Sequence, residues 1–193
     1  MRSRKEQGVE GAAPPRVRPG ARGFTLAEML VALTIASILV AAGAGSFQNV
    51  TTQNRIANQI NGLLGDMQFA RAEAIKEGRP VTVCASTNGT TCAPTTAWEG
   101  GWIVFKDSNG NQTVDPGESV LRVQQALTGG DTVAADNGIT SVTYNRQGFA
   151  FGLPGTITLA LHDPTSRAAW VRCLAVSIVG QLQIQMSGTG NCQ

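Results

Sequence analysis

The chain's 193 residues carry 15 basic and 13 acidic side chains, with one histidine and four cysteines. Six of the bases (Arg2, Arg4, Lys5, Arg16, Arg18 and Arg22) but only two acids (Glu6 and Glu10) precede Phe24, so from Phe24 onward nine bases face eleven acids, a net −2. That balance, with no lysine or arginine run after Arg22, excludes a large sequence-independent attraction to nucleic-acid backbones.

In chain order, the basic opening gives way at Gly23-Phe24-Thr25-Leu26-Ala27-Glu28 to an apolar run over 29–47. The run is close to the length that spans a bilayer. Glu28 stands at its start, where an unpaired charge costs roughly 2 to 3 kcal/mol even on lenient insertion scales, so a partner for it is expected. The basic residues before it hold that end in the cytoplasm and place the rest of the chain outside. A secretory signal peptide cut after Ala42-Gly43-Ala44 is one competing reading, but the leader is long and the apolar run exceeds an ordinary h-region. A plain single-pass anchor is another, and it gives no reason for Gly, Phe and Glu to occur at this spacing.

At these residues the chain resembles the type IV prepilins and type II secretion pseudopilins, which share a basic leader, Gly, Phe, and Glu at the fifth position after Gly. The resemblance implies that a prepilin peptidase cuts between Gly23 and Phe24 and methylates the new Phe24 amine. In an assembled filament, Glu28 of one subunit would then neutralise the cationic amine of its neighbour. The low dielectric makes such a pairing strong and register-specific. The implied organisation is a cleaved leader (1–23), a transmembrane and assembly half-helix (24–47), an amphipathic half-helix (48–78) and a β-rich periplasmic head (79–193). The partners implied are other major or minor pilins or pseudopilins, the peptidase and the inner membrane.

Beyond Gly43 and Gly45, which offer a place for a kink, Ile56, Ile60, Leu63, Met67, Ala70 and Ala74 recur at spacings of four and three. This predicts an amphipathic helix with one packed face. Gly78 and Pro80 form a stop signal. Short β-like runs follow at 80–85, 102–106, 120–124, 139–144, 156–161, 170–179 and 182–186, separated by Gly, Asn, Asp and Pro clusters. The short connections predict antiparallel pairing, and a helix followed by sheets is an α+β arrangement. Trp98, Trp102 and Trp170 read as packing residues, and His162, beside Asp163-Pro164, as a turn residue. Cys84, Cys92, Cys173 and Cys192 suit an oxidising compartment, and three connectivities can be drawn. Close spacing favours Cys84 with Cys92 and Cys173 with Cys192. Zinc is disfavoured because no CxxC pair or companion histidine occurs, and no metal or cofactor is expected.

Val83-Cys84-Ala85-Ser86 with Cys92, the stretch from Trp98 through Gly100-Gly101-Trp102 to Phe105, the loop 107–118 and a late strand pair around Gly180 make the head similar to the GspH/FimT/FimU family of minor pilins and pseudopilins. That resemblance implies a type IV pilin-like fold, with the long helix packed on an antiparallel β-sandwich head. The loop 107–118 has oxygen side chains at the spacing of an EF-hand calcium loop, but Gln112 stands where the turn glycine belongs, and an Asn/Gly-rich hairpin loop with Asx-turns is favoured. DNA-uptake members carry a Gly-Arg-x-Arg element, and the matching positions here are Gly180-Gln181-Leu182-Gln183. Glutamine cannot release counterions, so DNA is a partner that is not favoured. Arg146, Arg167 and Arg172 have no sequence signal that joins them. There is no Gly-x-Ser-x-Gly elbow or phosphate loop and His162 lacks a nucleophile at a recognisable spacing, so no catalytic role is expected. The expected function is that of a minor type IV pilin in pilus assembly. The alternatives are the H pseudopilin of type II secretion and a DNA-binding pilin.

Overall fold

The computed structural model describes residues 23–192, and at 42–46 its backbone alone. The basic leader over 1–22 lies outside the described residues, as do the side chains of Ala42 and Ala44, while the backbone through Gly43 and Gly45 is helical. One helix, α1 (Leu26–Glu77), opens the fold. It ends where Gly78 takes a left-handed φ of 68° while its N–H still bonds to the Ala74 carbonyl at 3.0 Å. A residue with a Cβ resists that conformation, so the helix stops there. The chain divides into two compact units between Ala44 and Gly45.

In the first unit every described side chain is exposed, including Phe24 at 73 %, Ile38 at 69 % and Val40 at 73 %. Apolar side chains therefore surround the helix instead of forming a stripe, the pattern of a helix meant for an apolar environment. Its hydroxyls bond back to their own turn, Thr34 Oγ1 to the Val31 carbonyl and Ser37 Oγ to that of Leu33 at 2.7 Å. Among the described residues no helix is long and apolar enough to cross a membrane.

In the second unit Ile56, Ile60, Leu63, Met67, Ala70 and Ala74 of α1 are buried in one core with the inner faces of two sheets. The first sheet has the order β3-β2-β1-β5-β6, from β1 (Val81–Ala85), β2 (Trp102–Lys106), β3 (Val120–Gln124), β5 (Ser141–Tyr144) and β6 (Ala150–Phe151). The second has the order β4-β7-β8-β9, from β4 (Thr132–Ala135), β7 (Ile157–His162), β8 (Arg172–Val176) and β9 (Leu182–Met186). All pairings are antiparallel. Period-two alternation sends Val81, Val83, Val104 and Val142 toward the helix, while Cys84, Ile103 and Phe105 form a second cluster with Val114 and Val120. Both faces of β1 and β2 are thus buried, the outer one under the loop 107–118.

Two strands carry no clear sequence signal. β4 alternates exposed and buried residues, and β6 has only two. The run expected at 170–179 is shorter at both ends, because Trp170 belongs to a single 3-10 turn, Ala168–Trp170, and 177–181 form the β8–β9 turn. His162 is the last residue of β7, paired with Thr132, and not a turn residue. Trp98 and Trp102 are fully buried and Trp170 nearly so.

Candidate functional site

At the start of α1, Thr25 and Glu28 bond reciprocally. The Glu28 N–H donates to Thr25 Oγ1 at 3.2 Å, and the Thr25 N–H donates to the Glu28 carboxylate at 3.4 Å. This is a capping box: two of the orphan N–H groups at a helix start are satisfied, and the carboxylate lies at the positive end of the helix dipole. Glu28 therefore has a partner within its own chain, one that sequence reading passed over although Thr-x-x-Glu before an apolar run is its signature. Phe24 lies just outside the helix and is largely exposed. The Thr25 N–H belongs to the Phe24–Thr25 peptide, so scission between Gly23 and Phe24 leaves the box intact.

Farther along, α1 is held to the head by a series of polar clamps. Arg55 meets Asp131 in a two-pronged ion pair, Nε and Nη2 each 2.7 Å from a carboxylate oxygen. The Asp131 hydrogen bond holds the Arg55 guanidinium above even its usual high range. Gln59 donates to the Thr128 carbonyl at 3.1 Å. Asp66 accepts from Trp102 Nε1 and from Arg122 Nη1, both at 2.9 Å, and Arg122 also stacks 3.8 Å over the Phe69 ring. Arg71 Nε donates to the Gly148 carbonyl at 2.9 Å. At the helix end Lys106 reaches Glu77 at 2.7 Å, and that hydrogen bond keeps the Glu77 carboxyl below its usual range.

Two disulfides join Cys84 to Cys92 and Cys173 to Cys192, with Cα separations of 5.5 and 5.6 Å. The first ties the loop after β1 onto the outer face of the first sheet, beside Ile103 and Phe105. The second draws the C-terminal tail over the outer face of the second, beside Val171.

In the loop 107–118 the acidic oxygens are already engaged. Buried Asp107 accepts from Thr82 Oγ1 at 2.7 Å and from the Asn111 and Gln112 N–H groups, Asp115 from the Asn109 and Asn111 amides, and Glu118 from the Ser108 and Asp115 N–H groups. The loop is a hairpin connection of Asx-turns between β2 and β3. Among the described residues no group of three or more His, Cys, Asp or Glu could hold a metal ion. Gly180 and Gln181 close the β8–β9 turn, and Gln183 lies exposed on β9. Arg167 stacks on Trp170 at 4.6 Å and Arg172 donates to the Ala169 and Val171 carbonyls, whereas Arg146 sits in the β5–β6 turn of the other sheet.

A capped, all-round apolar helix start, a helix stripe buried under two antiparallel sheets, and loops stapled to the outer faces define a type IV pilin-like protein. Residues 59–180 match the family described as type II transport protein GspH, and residues 18–44 match the prokaryotic N-terminal methylation motif. The chain belongs to the GspH family of minor pilins and pseudopilins. Two crystal structures of the type IV minor pilin FimU of Pseudomonas aeruginosa (strain PAO1) are similar in fold. The form in space group P21 has a TM-score of 0.55 at 19% identity, covering 74% of this chain and 95% of that one. The form in P65 has a TM-score of 0.51 at 20% identity, covering 69% and 93%. The minor pseudopilin EpsH of the type 2 secretion system of Vibrio cholerae gives a TM-score of 0.49 at 11% identity over 69% of this chain and 98% of that one. No curated protein sequence matches the chain.

Proposed function

We propose that this chain is the precursor of a minor type IV pilin, a structural subunit and not an enzyme, that helps assemble a filament. A prepilin peptidase cuts it between Gly23 and Phe24 and methylates the Phe24 amine. Residues 24–47 then anchor it in the inner membrane, the head lies in the periplasm, and the other pilins of the filament are its partners. The observation that carries the reading is the junction itself: Gly23 and Phe24 lie immediately before a capping box whose acid is the fifth residue after Gly23 and the third of an apolar helix. After cleavage a cationic amine would sit at the positive end of the helix dipole, an unfavourable place that the Glu28 carboxylate offsets, its own or a neighbour's.

Mass spectrometry of the N-terminal peptide of the membrane-bound protein tests this. The expected peptide begins at Phe24 with one added methyl group. A chain that begins at Gly45, or that keeps its leader in a host with an active peptidase, would overturn the reading. The family match to a type II transport protein favours a second reading, the H pseudopilin of a secretion system. Deletion in the native host separates the two, because loss of surface pili with secretion intact supports the pilus and the converse supports the secretion filament.

A further inference from the structure

We infer that the bowl between α1 and the β8–β9 turn is a socket for a carboxylate of a neighbouring filament subunit, with Arg71 as its cation. The inference rests on the filament reading above. The bowl, of about 440 Å³, is lined by Gln68, Arg71, Val179, Gly180, Gln181 and Leu182. Arg71 is half-buried, and its Nε is spent on the Gly148 carbonyl, which fixes the plane of the guanidinium. Its two terminal nitrogens have no hydrogen-bond acceptor and no carboxylate among the described residues, whereas Arg55, Lys106 and Arg122 are each paired. A guanidinium held by one edge and open at the other is preorganised for two-pronged recognition of an oxyanion.

The backbone around it is shaped for this. Gly180 (φ 75°) has no room for a side chain, since a Cβ there would fall 2.0 Å from the Gly148 carbonyl oxygen and 2.9 Å from Arg71 Nε. Gly148 (φ 81°) is similarly confined, its Cβ direction meeting Ile75 at 2.8 Å and Arg71 Nε at 3.0 Å. Two turns from different sheets thus close on the inner edge of the guanidinium and leave the outer edge facing the bowl. The exposed amides of Gln68 and Gln181 stand on the rim, each able to donate a further hydrogen bond.

The occupant is a protein carboxylate and not a nucleic-acid phosphate for two reasons. A phosphate backbone is held by several cations at once, and here one cation serves a chain that carries a net −2 from Phe24 onward. Aliphatic side chains also flank the polar lining, with Val179 in the bowl and Ile178 and Ile75 each about half exposed next to Val179 and Gly148. An arginine amid exposed aliphatic side chains is the pattern of a protein–protein hot spot, in which a charge pair forms as water is excluded.

A charge-swap experiment on assembled filaments tests the socket. With p-benzoylphenylalanine at Ile178, irradiation of filament-bearing cells is expected to link this chain to another subunit within a few residues of an Asp or Glu. Arg71→Glu, and Gln181→Glu, which neutralises the cation while leaving its tether to Gly148 alone, should each lower the chain's content in sheared filaments roughly tenfold or more. Changing the linked acid to Lys should restore the Arg71→Glu chain. The inference is overturned if both variants enter filaments like the wild type, if the lysine partner fails to rescue, or if irradiation links the chain to nucleic acid or to a region without acids. Absence of the wild-type chain from filaments would instead remove the filament reading itself.

Discussion

Asp163 shows how a single residue can matter out of proportion to its sequence signal. Its side chain is buried and collects the Thr165 N–H at 3.0 Å, the Arg167 N–H at 3.1 Å and the Thr165 hydroxyl. Burial pushes its carboxyl up, but these hydrogen bonds outweigh that and hold it below the usual carboxylate range. A carboxyl depressed in the folded state binds fewer protons there than in the unfolded chain. Its contribution is therefore fully present above the unfolded value, about 3.9, and is lost as pH falls through the folded one. Asp163→Asn should cost about 1 to 3 kcal/mol at neutral pH, the worth of hydrogen bonds to a charged group. That deficit should shrink as the medium is taken below about pH 4. Thermal melts of both proteins from pH 7 to pH 2 check this, and a deficit that stays constant over the range would refute it. Sequence reading saw only a turn at Asp163-Pro164, because nothing in the order of residues reveals that a turn carboxylate will be buried with three donors. The Thr25–Glu28 capping box is the opposite case: it was passed over although its signal is a spacing along one helix, fixed before any tertiary contact forms.

Among the elements, the helix stripe from Ile56 to Ala74 was legible because a period of 3.6 survives any tertiary arrangement. β4 and β6 were not. Thr132–Ala135 is only four residues long and ends in two alanines, and its strand character comes from pairing with β7 across a long loop. The clamps were equally hidden, since Arg55 and Asp131 are 76 residues apart. They are not equivalent in strength. The Asp131 side chain is fully buried and Arg55 is 30% exposed, whereas Lys76, paired with Glu73, is 72% exposed. Desolvation and solvent screening then separate the two pairs. Asp131→Ala in the detergent-solubilised full chain should cost about 1 to 3 kcal/mol, and Lys76→Ala less than about 0.5 kcal/mol. Denaturant titration of the two variants measures the difference. Equal losses would mean that the Arg55 pair holds the helix no better than a surface pair. Gly129 follows from the same contact, because a Cβ there would fall 2.4 Å from the Arg55 guanidinium carbon.

For the molecule as a whole, the question is whether Glu28 serves its own helix or a neighbour's. The capping box gives it a local role worth about 1 kcal/mol, and the assembly role needs its charge as well as its oxygens. Three substitutions in the full chain separate the two. Thr25→Ala breaks the box but leaves the carboxylate. Glu28→Gln keeps an acceptor at the third helical position, which a capping box tolerates, and removes the charge. Glu28→Ala removes both. If the charge pairs with the Phe24 amine of an adjoining subunit, Glu28→Gln and Glu28→Ala should both leave membrane insertion intact and cut the chain's filament content strongly, while Thr25→Ala keeps most of it. The head's melting temperature should be the same in all three, because Thr25 and Glu28 both belong to the first unit and bond to each other there. Quantitative immunoblots of membrane and sheared-filament fractions provide the measurement. Wild-type filament content for Glu28→Gln, with a loss confined to Thr25→Ala and Glu28→Ala, would reduce Glu28 to a helix cap and end its assignment as the intersubunit charge.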